Sequence, residues 1–277
     1  MTANWTLPER FTYEGHRIAW GMVGEGPPAI LAHGSPFSSL VWRRIAPWLA
    51  RHRRVFYYDL IGFGQSDKPD ADVLHGIQNR LFATLVNYWG IERPDVVAHD
   101  FGGSAALRAH LLDRVEYSSL VLIDPVAISP QGSALVQAAK AHREVFAALP
   151  AYIHEAILRA YIGAAVMHSL REEEMRLYLA PWLDDGGKKA FWRQIAQMDD
   201  KYSKDVEGRY DEIRCPVTIL WGEKDQFIPL KDGEELVRRI PGARFIVVPD
   251  AKHLVQEDAP EAIVAAVLDV WRQRARP

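Results

Sequence analysis

Residues 95–112, Asp-Val-Val-Ala-His-Asp-Phe-Gly-Gly-Ser-Ala-Ala-Leu-Arg-Ala-His-Leu-Leu, constrain the fold more than any other stretch of the chain. The first part holds a short β-rich apolar run at 96–98, and the second repeats apolar residues at helical spacing. Between them stand Asp100 and a glycine pair, Gly102 and Gly103. A buried strand that turns this sharply into a helix holds one side chain out above the C-terminal edge of a sheet, the geometry of a nucleophile elbow. The residue held out here is Asp100. The alternative for the same residue is a helix N-cap, a position that Asp favours.

The identity of the held-out residue selects the chemistry. A carboxylate is already an anion at neutral pH and attacks saturated carbon bearing a leaving group. Attack on an ester carbonyl would give a reactive mixed anhydride. The expectation is therefore cleavage of a carbon–halogen bond, or of an epoxide carbon–oxygen bond, through an alkyl-enzyme ester on Asp100.

The rest of the chain alternates strand and helix around this turn. Residues 11–13 and 16–23 read as an edge hairpin about Glu14-Gly15. Apolar runs at 29–32, 55–58, 96–98, 120–123, 217–221 and 245–248 have the continuous hydrophobicity of strands buried on both faces. Helical stripes are expected at 42–49, 77–89, 231–239 and after Pro260. From 129 to 210 only helical segments appear, at 134–149, 152–166, 170–183 and 188–200. The spacing Ser169-Leu170-Arg171-Glu172 predicts a capping box for the third of these. The pattern predicts an α/β fold with a mostly parallel sheet flanked by helices and a helical cap inserted after the sixth strand. The core is expected at 1–128 and 211–277, and the cap at 129–210.

Composition narrows the setting. A chain of 277 residues suits one such domain with an insertion. A net charge of −3 offers no basic footprint for nucleic acid. The single cysteine, Cys215, excludes an internal disulfide and fits a reducing compartment. Residues 1–6 lack the pattern of a signal peptide, and no apolar run is long enough to span a membrane. The expected setting is cytoplasmic, with small molecules and water as the partners. No spacing supports a metal site, and no dinucleotide fingerprint is present.

The polar candidates lie where buried strands end, the edge at which open α/β sheets bind ligands. With ten histidines in the chain, position rather than presence singles out His253, in the loop between the last strand and the last helix. The order acid elbow, acid, histidine is a hydrolase order, and His253 is the expected base toward water. Its carboxylate partner is expected to be Asp225, in the loop after 217–221, with Asp124 at the end of 120–123 as the alternative. The backbone N–H groups of Ser35, in His33-Gly34-Ser35-Pro36, and of Phe101 are the expected oxyanion donors. Phe37, Tyr152, Tyr161, Trp182 and Trp192 are expected to contact substrate in an apolar pocket under the cap.

With these residues assembled, the sequence resembles the α/β-hydrolase superfamily over essentially its whole length. It is closest there to the Asp-nucleophile group of haloalkane dehalogenases and epoxide hydrolases. Residues 33–43, His-Gly-Ser-Pro-Phe-Ser-Ser-Leu-Val-Trp-Arg, are similar to the dehalogenase pattern His-Gly-Asn-Pro-Thr-Ser-Ser-x-x-Trp-Arg, and residues 59–69 look like the corresponding dehalogenase loop. The resemblance implies cofactor-independent hydrolysis, and the length of the motif leads toward carbon–halogen cleavage. Two departures stand against that. The Trp that usually follows the nucleophile and holds the leaving halide is Phe101 here, and the halide-binding Asn is Ser35. A dehalogenase reading therefore requires new donors from the cap, first among them the indoles of Trp182 and Trp192. The epoxide alternative instead requires a cap tyrosine, from Tyr152, Tyr161, Tyr178 and Tyr202, to protonate the opening oxygen. A ligand-binding protein without catalysis on the same scaffold is the alternative of another class.

Overall fold

Eight strands form a single sheet in the order β1-β2-β4-β3-β5-β6-β7-β8 in the computed structural model, which describes residues 5–130 and 132–274. Residues 1–4, part of the segment read as lacking a signal peptide, lie outside the described residues. Strands β1 (Glu9–Tyr13) and β2 (His16–Val23) pair antiparallel about Glu14 and Gly15, both at positive φ. Strand β2 also runs antiparallel to β4 (Arg54–Tyr58). All further pairings, through β3 (Pro28–Ala32), β5 (Asp95–His99), β6 (Ser119–Ile123), β7 (Val217–Gly222) and β8 (Arg244–Val248), are parallel. Every residue of β5, β6 and β7 is buried, as continuous apolar runs in a sheet covered on both faces require.

Helices α1 (Ala46–Leu49), α2 (His75–Tyr88) and α3 (Phe101–Leu111) follow β3, β4 and β5 in turn. Among the described residues, six α-helices then follow β6 before β7 begins: α4 (Ala134–Ala141), α5 (Arg143–Ala147), α6 (Ala151–Ala164), α7 (Glu172–Leu179), α8 (Asp185–Gln197) and α9 (Lys201–Glu207). Helices α10 (Leu230–Arg239), α11 (Val255–Asp258) and α12 (Pro260–Arg274) close the chain. Among the described residues, no helix is long and apolar enough to cross a membrane.

Local departures from the periodicity have identifiable causes. The helix expected at 42–49 is a 3₁₀ segment, Ser39–Arg44, followed by α1; Pro47 near the start of α1 has no N–H to continue an earlier ladder. The helix expected at 134–149 breaks at His142, whose φ of −136° and ψ of 39° leave the helical region. That bend lets both α4 and α5 lie against α8. The capping box expected from Ser169 is displaced: α7 starts after Arg171, and Glu174 reaches back to accept the Arg171 N–H at 3.3 Å. Glu174 is held there because it also pairs with Arg43 and Arg44 of the core. Arg43 in turn pairs with Glu257 of α11, and the Tyr178 hydroxyl of α7 bonds to both. This buried ionic cluster ties the helical insertion to the segment that follows His253.

Candidate active site

Asp100 closes β5 with φ 50° and ψ −117°, a conformation that an L-residue adopts only where its surroundings enforce it. Its N–H donates to the Ile123 carbonyl at 3.1 Å, and its own carbonyl accepts from Ser104 at 3.1 Å and Val126 at 3.2 Å. Asp100 stands at the N-cap position of α3, but its side chain makes no cap bond to the N–H groups farther into the helix. Instead Oδ1 accepts the Ser35 N–H at 2.7 Å, and the Phe101 N–H also bonds to the carboxylate. Two glycines make the approach possible. A Cβ on Gly34 would lie 2.4 Å from Asp100 Oδ1, and one on Gly102 would lie 2.5 Å from the Ala32 carbonyl oxygen.

His253 reaches the same point from the loop after β8. Its Nδ1 lies 2.8 Å from Asp225 Oδ2, and its Nε2 lies 3.6 Å from Asp100 Oδ2. A carboxylate only accepts, so Nδ1 carries the proton in that bond. Asp225 is itself fixed by the N–H groups of Phe227 and Ile228, which donate to Oδ1 at 2.7 and 3.1 Å. Asp124, weighed as the alternative partner, has no hydrogen bond to the imidazole; its Oδ1 accepts from the Gly222 N–H at 2.8 Å.

Burial dominates the electrostatics. It pushes the Asp100 carboxyl up to about 6, against the lowering influence of His253 and of the Phe101 and Ser35 N–H groups. Burial alone would depress His253, but Asp225, Asp100 and Asp124 outweigh it and lift the imidazole to about 9. At neutral pH these values place an Asp100 carboxylate opposite an imidazolium.

A cavity of about 240 Å³ opens onto Asp100 and His253. Its apolar wall comes from Phe101, Val126, Ile128, Val136, Met198, Phe227 and Ile228, and Tyr161 of α6 completes it. Of the five residues expected to touch substrate, only Tyr161 lines this cavity. Tyr152 is 73% exposed, because it lies on the outer side of α6. Phe37 is buried behind the site, edge-on to Tyr178 at 5.6 Å between ring centroids. Trp182 and Trp192 are buried, and neither indole is available: Trp182 Nε1 donates to the Pro36 carbonyl at 2.9 Å, and Trp192 Nε1 to His154 Nδ1 at 3.1 Å. The Ser35 hydroxyl is engaged as well, 2.8 Å from Gln194 Oε1.

Two other tyrosines are committed elsewhere, Tyr178 to Glu257 and Arg43, and Tyr202 to Asp72 at 2.9 Å. Among the described residues, the Tyr161 hydroxyl has no hydrogen-bond partner. Sequence reasoning missed Gln194 and most of the apolar wall. A usable signal was Phe227-Ile228, two large apolar residues inside an otherwise polar strand-end loop.

The buried charge has a measurable cost. The folded protein holds the Asp100 proton more tightly than the unfolded chain does, so this group costs stability as pH rises from its ordinary 3.8 to about 6. Asp100→Asn is therefore expected to stabilise the protein above pH 6 by about 1–3 kcal/mol. At roughly 2–4 °C of Tm per kcal/mol, thermal unfolding from pH 4 to pH 8 will register the gain. The difference should fade toward pH 4, and a pH-independent gap would assign it to another cause.

A nucleophile elbow, a histidine and an acid at successive strand ends, on a mostly parallel sheet beneath a helical insertion, define an α/β hydrolase. Residues 29–266 match the alpha/beta hydrolase family, and this hydrolase chain belongs to it. It is 58% identical to an alpha/beta hydrolase fold protein from Burkholderia ambifaria, with 95% of this chain and 97% of that one covered and a TM-score of 0.93. The fold is also that of the haloalkane dehalogenase DatA from Agrobacterium tumefaciens, at 21% identity, 96% coverage of both chains and a TM-score of 0.81. The epoxide hydrolase CorEH is similar again, at 21% identity, 96% and 98% coverage and a TM-score of 0.77.

Proposed function

We propose that this protein hydrolyses small, mainly apolar epoxides through an alkyl ester on Asp100, with residues 129–210 acting as a cap over the core of 1–128 and 211–277. The observation that carries this reading is Tyr161. Its ring stacks on Phe227 at the wall of the cavity that Asp100 and His253 share, and its hydroxyl has no hydrogen-bond partner among the described residues. Burial first, and then the negative charges of Asp100 and Asp225, hold it well above the usual phenol range. It therefore stays protonated and can donate to an oxygen that becomes negative.

In the first step, an Asp100 oxygen forms a bond to an epoxide carbon as the carbon–oxygen bond breaks. The departing oxygen takes the Tyr161 proton and becomes a hydroxyl, and the phenolate recovers a proton from Nε2 of the His253 imidazolium, which leaves that histidine neutral. In the second, His253 Nε2 takes a proton from water, and the resulting hydroxide attacks Cγ of Asp100. The Ser35 and Phe101 N–H groups hold the oxyanion; its collapse expels the alkoxide oxygen, which takes the proton of the newly formed acid, so that a diol leaves and the carboxylate is regenerated. Asp225 stabilises the imidazolium throughout. The cavity, at about 240 Å³, is below the ~300–1,000 Å³ typical of sites for larger ligands, which favours compact substrates.

The dehalogenase reading keeps the support of the long motifs at 33–43 and 59–69. It requires donors for a departing halide, each typically worth about 2.7–4 kcal/mol at a centre of developing charge. Both cap indoles considered for that role bond to protein acceptors, so the balance moves to epoxide opening. A bromoalkane and a matched epoxide on the same purified protein separate the two. Tyr161→Phe is expected to lower diol formation by roughly 10²–10⁴-fold. Bromide release without diol formation would sink the epoxide reading.

A further inference from the structure

The Ser35 N–H that meets Asp100 Oδ1 belongs to the core, yet the side chains that hold its segment come from the helical insertion. Core groups fix both ends of residues 33–39. His33 Nε2 accepts the Leu60 N–H at 2.9 Å, and the Ser39 N–H donates to Asp59 Oδ1 at 2.7 Å. Between those ends the insertion takes over. The Ser35 hydroxyl donates to Gln194 Oε1 of α8 at 2.8 Å, and the Pro36 carbonyl accepts Trp182 Nε1 at 2.9 Å. The Phe37 ring lies between His99 of the core and Tyr178 of α7, at centroid distances of 6.3 and 5.6 Å.

The side chain of Gln194 is not there for packing. It is fully buried, and its Nε2 has no partner among the described residues. A leucine would fill similar space without burying an amide, a group whose burial costs free energy. The atom that the amide brings into use is Oε1, on Ser35. Its own position is fixed from both sides along α8. Arg193 bonds to Asp70 at 3.0 Å and to the Lys68 carbonyl at 3.2 Å. Gln197 donates to the Ala71 carbonyl at 2.9 Å and accepts the Val73 N–H at 3.2 Å. Helix α8 is thus clamped to the core loop at 68–73, and Gln194 reaches Ser35 from that clamp.

We propose that Gln194 and Trp182 position the Ser35 N–H on Asp100 Oδ1, and that this grip from the insertion serves the hydrolysis of the alkyl ester rather than its formation. Both are positioning residues, acting through Ser35 and Pro36. The kinetic half of this inference rests on the mechanism proposed above; the structural half does not.

The sign follows from where the charge stands. In the resting site the Ser35 N–H stabilises the Asp100 carboxylate. Alkylation removes that charge, so a loosened donor does not slow the first step. In the second step hydroxide bonds to Cγ, and the carbonyl electron pair moves onto Oδ1. The charge thereby returns to the oxygen that Ser35 faces, and a donor lowers that barrier only if it is already in place.

Hydrogen exchange in the protein without substrate tests the grip. The Ser35 amide is expected to exchange about tenfold faster in Gln194→Leu, the scale of one hydrogen bond. Trp182→Phe should act in the same direction, and the Phe227 amide, bonded to Asp225, should stay unchanged. An unaltered Ser35 amide would overturn the positioning, whatever the protein hydrolyses. Rapid quenching with an epoxide and intact-protein mass spectrometry tests the step. Gln194→Leu is expected to form the ester at an unchanged rate and to hydrolyse it about 10²-fold more slowly, so the adduct accumulates with His253 still present. Equal slowing of both steps would overturn the assignment. Ser35→Ala keeps the N–H and loses the hydroxyl, so the Ser35→Ala/Gln194→Leu double variant should be no slower than Gln194→Leu alone. Losses that multiply would show that Gln194 does not act through Ser35. Faster Ser35 exchange with no adduct from any epoxide would count against the proposed function and still support the grip.

Discussion

Replacing His253 with glutamine is expected to stop turnover after the first covalent step and leave an alkyl ester on Asp100. The Asp100 carboxylate needs no base in order to attack carbon, whereas water must lose a proton to attack the ester. Removing the residue that accepts it should slow the second step by roughly 10²–10⁴-fold, with the first step largely intact. His253 is lifted to about 9 against the effect of its burial, by Asp225 and Asp100 among others. Esterification neutralises Asp100, withdraws one of those charges and lowers the affinity of the imidazole for its proton just when a base is required. Mass spectrometry of the intact protein after incubation with an epoxide will find the added mass on Asp100 of His253→Gln. A variant that still turns over normally, or that stays unlabelled by a substrate of the unaltered enzyme, would remove His253 from this role.

Asp225→Asn should be nearly as damaging, with a loss of up to about 10⁴-fold in kcat. Asp225 Oδ2 accepts the Nδ1 proton of His253 at 2.8 Å, which leaves Nε2, the nitrogen nearer Asp100, to face the water. An asparagine amide can donate to Nδ1 instead and select the opposite tautomer. Its remaining oxygen can still accept the Phe227 and Ile228 N–H groups, so the loop should keep its shape. Circular dichroism and steady-state kinetics on the same preparation will separate loss of fold from loss of the proton path. Activity within tenfold of the unaltered enzyme would reassign the acid.

The elbow was legible because several local signals coincide over a few residues: a β-branched run, an acid, two glycines and a helical stripe at 96–112. Tertiary crowding explains the glycines, as Gly102 lies against the Ala32 carbonyl and the backbone of Gly34 against the Asp100 carboxyl. The helical insertion was legible for a similar reason, since 129–210 lacks any buried-strand pattern. Its helix boundaries were less so. The break at His142 and the start of α7 at Glu172 answer to neighbours far along the chain, α8 in one case and Arg43 and Arg44 in the other.

The pocket residues show the limit of composition as a guide. Trp182 and Trp192 were expected at the substrate as large aromatic residues of the insertion, and Phe37 as one near the sheet edge beneath it. They are buried instead, packed against protein with the indole donors satisfied. Tyr152 and Tyr161 share α6 and a similar local sequence, yet one is exposed and the other lines the cavity. Nine residues separate them, which is two and a half turns at 3.6 residues per turn, so they point to opposite sides of the helix.

By itself the sequence determined the order of strands and helices, the sharp turn at Asp100, and the strand-end loops that carry His253, Asp225 and Asp124. Those follow from short-range periodicity and from backbone chemistry, which act over a few residues. Only the tertiary structure decided that Asp225 rather than Asp124 bonds to the imidazole, that both indoles are occupied, and that Tyr161 alone among the weighed tyrosines reaches the cavity. The bonds among these join residues 28 to 146 positions apart. A hydrogen bond is made or lost within about half an ångström of its optimum, and only the packing of the whole chain sets positions that finely.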